Sequence, residues 1–170
     1  MPARRDSSTT SAVRIRRAVR SDLAALVDLE NRTFASDRMS ARQMRHHLDN
    51  ASAGVLVAVS GGEVVGSAVV FLHPRHRSAR LYSIAVSASA RGLGVGKRLL
   101  EAAERMAGER GRDLMRLEVR NENAAARSLY EQQGYRHFGR RKRYYEDGHD
   151  AERYQKTLGP RGLVSSRARR

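Results

Sequence analysis

The spacing of apolar residues changes along this chain, and each change marks an element. Residues 13–18 alternate as a short first strand, and Ser21-Asp22 then caps an amphipathic helix carrying Leu23, Leu26, Val27, Leu29 and Glu30. Ser40 is a good cap for a second helix through Leu48, ending in Asp49-Asn50. Residues 55–59 and 64–72 flank a Gly61-Gly62 turn and read as a hairpin. A fourth strand over 81–86 runs into a glycine-rich stretch, after which Val95, Leu99, Ala102, Ala103 and Met106 make the buried stripe of a third helix that Gly111 ends. A fifth strand over 114–120, a fourth helix over 124–132 and two closing strands around 135–138 and 151–158 complete the pattern.

Composition narrows the class. A chain of 170 residues is long enough for one domain with its own core, and no run of 18 apolar residues suggests a membrane span. The first residues are basic and polar without an apolar signal core, so cytoplasmic residence is the default expectation. Cysteine is absent, which removes disulfides, thiolate nucleophiles and cysteine metal sites. The net charge is +15. The first twenty residues carry six Arg against one Asp and the last ten carry four Arg with no acid, which leaves +6 for the middle. The reading is a basic flexible tail over 1–12, a domain over 13–159 and an Arg/Ser-rich flexible tail over 160–170. Such tails contact RNA phosphates weakly or are simply solvated.

The glycine-rich stretch Arg91-Gly92-Leu93-Gly94-Val95-Gly96-Lys97 reads as an anion cradle. Glycines at alternate positions let backbone approach a ligand and adopt positive φ, and a helix starting near Val95 directs free N–H groups and its positive dipole end to the same point. A Walker loop is excluded, because Arg91 holds its first glycine position and Arg98 follows Gly96-Lys97. A dinucleotide fingerprint fits poorly, because Lys97 stands where its third glycine belongs. A glycine-rich connection without a ligand stays open on these letters alone. In the fifth strand, alternation puts Met115, Leu117 and Val119 on one face and Leu114, Arg116, Glu118 and Arg120 on the other. Glu118 therefore faces either a cleft or solvent, in the latter case paired with Arg116 or Arg120. Asn123 caps the fourth helix, and Tyr130 lies two turns along the same face, as a core residue or facing a ligand. His46-His47 and His73/His76 lack a metal-ligand pattern and read as surface or loop residues, and no metal is expected.

The glycine loop together with residues 117–135, through Leu117-Glu118-Val119-Arg120, Asn123-x-x-Ala126, Leu129-Tyr130 and Gly134-Tyr135, resembles the GCN5-related N-acetyltransferase (GNAT) superfamily over roughly residues 13–158. These motifs and Tyr144-Tyr145-Glu146-Asp147-Gly148 are similar to the ribosomal-protein-alanine acetyltransferase, or RimI-like, branch. The resemblance implies an α/β fold with a mixed, mostly antiparallel central sheet of about seven strands flanked by about four helices. It implies acetyl-CoA as co-substrate, with the pyrophosphate on Arg91, Gly92, Leu93, Gly94, Val95, Gly96 and Lys97. The main chain of Ile84, Ala85 and Val86 would meet the pantetheine arm, and Asn123 would contact the coenzyme. It also implies Glu118 as general base, Tyr130 as the acid that protonates the leaving sulfur, and peptide contact at Tyr144-Tyr145. The acceptor implied is a protein N-terminal α-amine, ribosomal in the first instance, with a Lys or small amine as the alternative; a non-catalytic acetyl-CoA sensor or an RNA-associated adaptor are the rivals of another class. One departure bears on the acceptor: where RimI-like proteins often carry a Phe/Pro-Trp segment, this chain reads Phe34-Ala35-Ser36-Asp37-Arg38-Met39-Ser40, so Asp37 or Arg38 could meet a charged peptide residue.

Overall fold

The computed structural model describes residues 11–159. All strands among the described residues join one seven-stranded sheet in the order β1-β2-β3-β4-β5-β7-β6. In chain order the elements are β1 (Arg14–Arg17), α1 (Leu23–Thr33), α2 (Ala41–Asp49), β2 (Ala53–Ser60), β3 (Glu63–Phe71), β4 (Ser78–Val86), α3 (Val95–Glu109), β5 (Leu114–Arg120), α4 (Ala124–Gln132), β6 (Arg136–Arg141) and β7 (Ala151–Thr157). Only β4 and β5 run parallel. This is the mixed α/β sheet with four helices that the resemblance implies. The basic tails fall almost wholly outside the described residues; Ser11, at the edge of one, accepts from Ser60 Oγ at 3.0 Å. Among the described residues no helix is long and apolar enough to cross a membrane.

Local chemistry explains most element ends. Ser40 and Gln43 form a reciprocal cap at α2, with Ser40 N–H donating to Gln43 Oε1 at 2.8 Å and Gln43 N–H to Ser40 Oγ at 3.2 Å. Asp22 behaves differently from the expected cap of α1. Its carboxylate is held by the Arg16 guanidinium at 2.8 and 2.9 Å and by Val19 N–H at 2.8 Å, so it ties β1 to a 3-10 turn over Arg20–Asp22 and the α-helix starts at Leu23. An ion pair reaching in from another element outcompetes the local helix N–H groups.

The sheet separates two apolar layers. On one face Leu26 and Met44 from α1 and α2 meet Val55, Val57 and Val69. On the other, Val95, Leu99, Leu100, Ala103 and Met106 of α3 and Tyr130 of α4 pack against Leu56, Val70, Met115, Leu117 and Tyr154. Each fully buried leucine contributes roughly 1.5–3 kcal/mol of burial energy. The close seat of α3 depends on Gly66 in β3, where an added Cβ would lie 2.9 Å from Leu99 Cδ1, 3.0 Å from Val95 Cγ1 and 3.2 Å from the Ala85 carbonyl oxygen.

The feature that makes room for a ligand is an interruption in the sheet. β4 and β5 pair only from Ser78↔Leu114 to Leu81↔Leu117. At the same point β4 carries a bulge against β3: Leu81 faces Val70 and Ser83 faces Val69, with Tyr82 the extra residue between them. A bulge bends its strand, and beyond it β4 follows β3 while β5 follows β7.

Gly66→Ala should lower stability by about 1–3 kcal/mol, because neither backbone oxygen nor the two packed side chains can retreat freely. Urea denaturation with an unchanged slope checks it; a variant as stable as the parent would show that α3 does not depend on this contact.

Candidate active site

A cavity of about 450 Å³ occupies the gap between the diverging strands. Ser83 and Ile84 of β4 form one wall, Glu118, Val119 and Arg120 of β5 the other, and Asn123, Ala126 and Tyr130 of α4 close one end. Glu30, Phe34, Ser36 and Asp37, from α1 and the segment after it, face Tyr144 and Tyr145 of the β6–β7 connection. The gap thus brings together Glu118, Tyr130, Asn123, Ile84 and the Tyr144-Tyr145 pair, which lie far apart in sequence.

Beyond Leu81 the β4 main chain has no strand partner on the β5 side. Ala85 is buried, while Ile84 and Val86 are partly buried and pack on the core. Ile84 thus both packs on the core and lines the cavity.

The glycine turn follows. Gly92 and Gly94 adopt φ of 77° and 74°, the left-handed region, and a Cβ on either would meet nothing within 4 Å, so the space beside the backbone is open. Gly96 plays another part: it lies inside α3, and its Cβ would come 3.4 Å from Leu129 of α4, so its small size serves helix packing. Among the described residues no side chain caps α3, whereas Ser40 caps α2 and Asn123 caps α4 through Ala126 N–H at 3.1 Å. The uncapped N–H groups and positive dipole end of α3 are suited to an anion. Of the nearby cations, Arg98 donates to the Val13 carbonyl at 2.7 Å, Lys97 lies 4.0 Å from Glu101, and Arg91 is exposed.

Glu118 is 8% exposed at its side chain and is surrounded by cations from other strands. Arg80 Nε donates to Oε2 at 3.1 Å, while Arg153 Nε and Arg141 Nε stand 3.6 and 3.8 Å from Oε1, beyond hydrogen-bond reach. Its same-face neighbours Arg116 and Arg120 are occupied elsewhere. Arg116 donates to Gln155 Oε1 and lies over Phe138. Arg120 binds Asp147 at 2.7 Å, Asp37 at 2.9 Å and Ser36 at 2.8 Å, with its guanidinium 4.3 Å above the Tyr145 ring. Asp37 also accepts from Glu146 N–H at 3.2 Å, so Arg120 and Asp37 clasp the α1–α2 segment to the β6–β7 loop. That commits Asp37 within the protein, and Arg38 likewise donates to the Phe34 carbonyl.

Tyr130 is 5% exposed, packs edge-on to Tyr135 at 5.7 Å, and still forms part of the cavity wall. Its hydroxyl hydrogen-bonds to none of the described residues. Burial, reinforced by Tyr145, holds that hydroxyl above the ordinary phenol pKa, so it keeps its proton at neutral pH. Arg80 donates to the Tyr144 hydroxyl, and burial likewise raises Tyr145. Among the histidines, His47 is half-buried with its ring 5.0 Å from Phe71, and burial lowers its pKa. Glu122, Asp147 and His149 form an exposed cluster, but the Arg120 guanidinium already lies between Asp147 and Glu122, 3.5 Å from the latter.

Sequence reasoning missed Arg80, Arg141 and Arg153 as neighbours of Glu118, the clasp at Arg120, and the place of Glu30 in the cavity wall. For Glu30 a signal exists. With Leu23, Leu26 and Val27 it follows the i, i+3, i+4, i+7 spacing of the apolar face, a place where a carboxylate needs a reason. It is 3% exposed, and Oε1 accepts from Met39 N–H at 3.0 Å.

This site, on a mixed sheet that splays beside an uncapped helix start, defines an acetyltransferase of the GNAT type. The chain belongs to the acetyltransferase (GNAT) family, whose sequence model matches residues 23–135. It is 31% identical over 163 residues to N-alpha-acetyltransferase RimI of Mycobacterium tuberculosis, covering 90% of this chain and 98% of that one. The ribosomal-protein-S18-alanine N-acetyltransferase from Escherichia coli is similar in structure, with a TM-score of 0.79 at 27% identity over 90% of this chain and 98% of that one. A chain of the NatC complex bound to Gag peptide and CoA gives a TM-score of 0.76 at 25% identity, covering 86% and 99% of the two chains. The RimI-like resemblance stands, and the protein is an N-acetyltransferase.

Burial raises the Glu30 carboxyl above the ordinary value, against the opposing effect of the Met39 N–H. A raised carboxyl binds its proton more tightly in the folded state, so stability is greatest below the unfolded pKa, ~4.3, and falls as pH climbs to the raised folded value. Glu30→Gln keeps an acceptor for Met39 and never ionises. Its Tm should exceed the parent's at pH 7, with the difference closing by about pH 4. Thermal melts across that range check it, and a lower Tm at pH 7 would contradict the sign.

Proposed function

We propose that this enzyme transfers the acetyl group of acetyl-CoA to the α-amine of a protein N-terminus, a ribosomal protein being the leading acceptor, by direct attack in a ternary complex. The observation that carries the reading is the joint presence of Glu118 and Tyr130 in the wall of one cavity between the parted strands. The relatives support the acceptor class: one is a RimI N-alpha-acetyltransferase and another acts on alanine of ribosomal protein S18. A neighbour bound to CoA supports the co-substrate.

In this reading the N–H groups from Gly92 to Lys97 receive the pyrophosphate, with Arg91 beside them. The main chain of Ile84, Ala85 and Val86 aligns the pantetheine arm, and Asn123 stands at the coenzyme's side of the cavity. The open space beside Gly92 and Gly94 fits that use. The acceptor nitrogen attacks the thioester carbonyl, forming the N–C bond as the C–S bond breaks. Glu118 takes the proton of the amine through Oε1, which receives no hydrogen bond from the described residues. Tyr130 gives its proton to the leaving sulfur. An α-amine, with a reference pKa of ~7.8 against ~10.4 for Lys, needs only a modest base. Tyr144 and Tyr145, beneath the clasp, supply aromatic surface to the peptide.

The test is acetyl-CoA turnover on peptides with free or blocked N-termini. Tyr130→Phe and Glu118→Gln should each lower kcat by about 10²-fold or more, with Tyr130→Phe leaving KM for acetyl-CoA nearly unchanged. Acetylation that ignores the N-terminal block redirects the reading to side-chain amines. Parent-like rates in both variants remove the two residue roles.

A further inference from the structure

Three carboxylates line the cavity, Glu30, Asp37 and Glu118. Two of them have their charge answered within the protein: Glu118 by Arg80, Arg141 and Arg153, and Asp37 by Arg120. Glu30 does not. Among the described residues no Lys, Arg or His pairs with it, its Oε2 accepts no hydrogen bond, and its single bond is the one from Met39 N–H to Oε1. A buried carboxylate without a counter-charge costs stability, and a cleft that retains one has a use for it when a cation arrives.

The acceptor is that cation. An α-amine is substantially protonated near neutral pH, and an ammonium approaching Glu118 meets the guanidinium groups of Arg80, Arg141 and Arg153, whose field opposes its approach. The cleft needs an anionic seat on its other side. We propose that Glu30 is the acceptor-ammonium subsite, with Oε2 accepting an N–H of the incoming protein N-terminus and the Met39 bond fixing the plane of the carboxylate. The subsite rests on the N-terminal acetylation reading. It gathers the charged acceptor into the cleft; one ammonium proton passes to solvent before the attack, and the proton released as the N–C bond forms goes to Glu118. Glu30 contributes an ammonium preference, separate from the proton transfer and from coenzyme binding.

The experiment compares two peptides of one sequence, one with its free α-ammonium and one in which hydrogen replaces the amino group. Each is titrated calorimetrically into the full-length enzyme holding CoA, which cannot acetylate. The parent should bind the ammonium peptide about tenfold more tightly than the des-amino peptide, the strength of one charge-assisted hydrogen bond. In Glu30→Gln, which preserves shape and the Met39 bond, the two peptides should bind alike. Equal binding by the parent, or the same preference surviving in Glu30→Gln, overturns the proposal. Turnover of the free peptide by the parent is measured alongside, so that failure of the N-terminal reading shows as absent product and failure of the subsite as an unchanged binding ratio.

Discussion

Four residue pairs hold β4 to β5, and then the strands separate, each leaving main-chain groups with no strand to bond. Buried backbone N–H and C=O groups must find partners, so an opening of this kind persists only where something else supplies them. Here the opening coincides with the Tyr82 bulge, with α3 seated against β3 at Gly66 on one side, and with β7 holding β5 on the other. The cavity between β4 and β5 is thus a consequence of interrupted pairing. Lengthening the β4–β5 ladder by two pairs would satisfy more backbone and remove the cavity whose wall holds both Glu118 and Tyr130.

Much of this was legible because it is local. The Ser40 and Asn123 caps, the alternation of β5 and the stripe of α3 each depend on neighbours within a few positions, and each appears where the letters place it. The Glu118 side chain leaves the apolar face as alternation requires, yet its ion partners come from three other strands, and alternation assigns a face without naming who shares it. The glycine turn was legible as a turn, but its three glycines serve two purposes: Gly92 and Gly94 set the chain direction, and Gly96 lets α4 approach. Spacing alone does not distinguish them. Asp22 shows the same limit, since a cap and an ion-pair partner are the same letter until Arg16 is brought beside it.

The electrostatics of the cleft follow from that non-local pairing. Arginine is abundant in this chain, and in the cavity it pairs with two of the three lining carboxylates, Glu118 and Asp37. Arg80 joins Glu118 to Tyr144, linking the proposed base to the β6–β7 connection through one guanidinium. Tyr130, in contrast, is buried among the rings of Tyr135 and Tyr154, and that burial keeps its proton in place.

The clasp at Arg120 has a consequence for how such an enzyme changes over time. Its guanidinium joins Ser36 and Asp37, from one end of the chain, to Asp147, from the other, while stacking on Tyr145. The two loops that frame this end of the cavity are therefore held as a unit. A graft that brings in a new α1–α2 loop without Asp37 strands the arginine and loosens the opposite loop as well. A substitution in either loop is therefore felt by the other and by β5, so this end of the cavity responds to change as one piece.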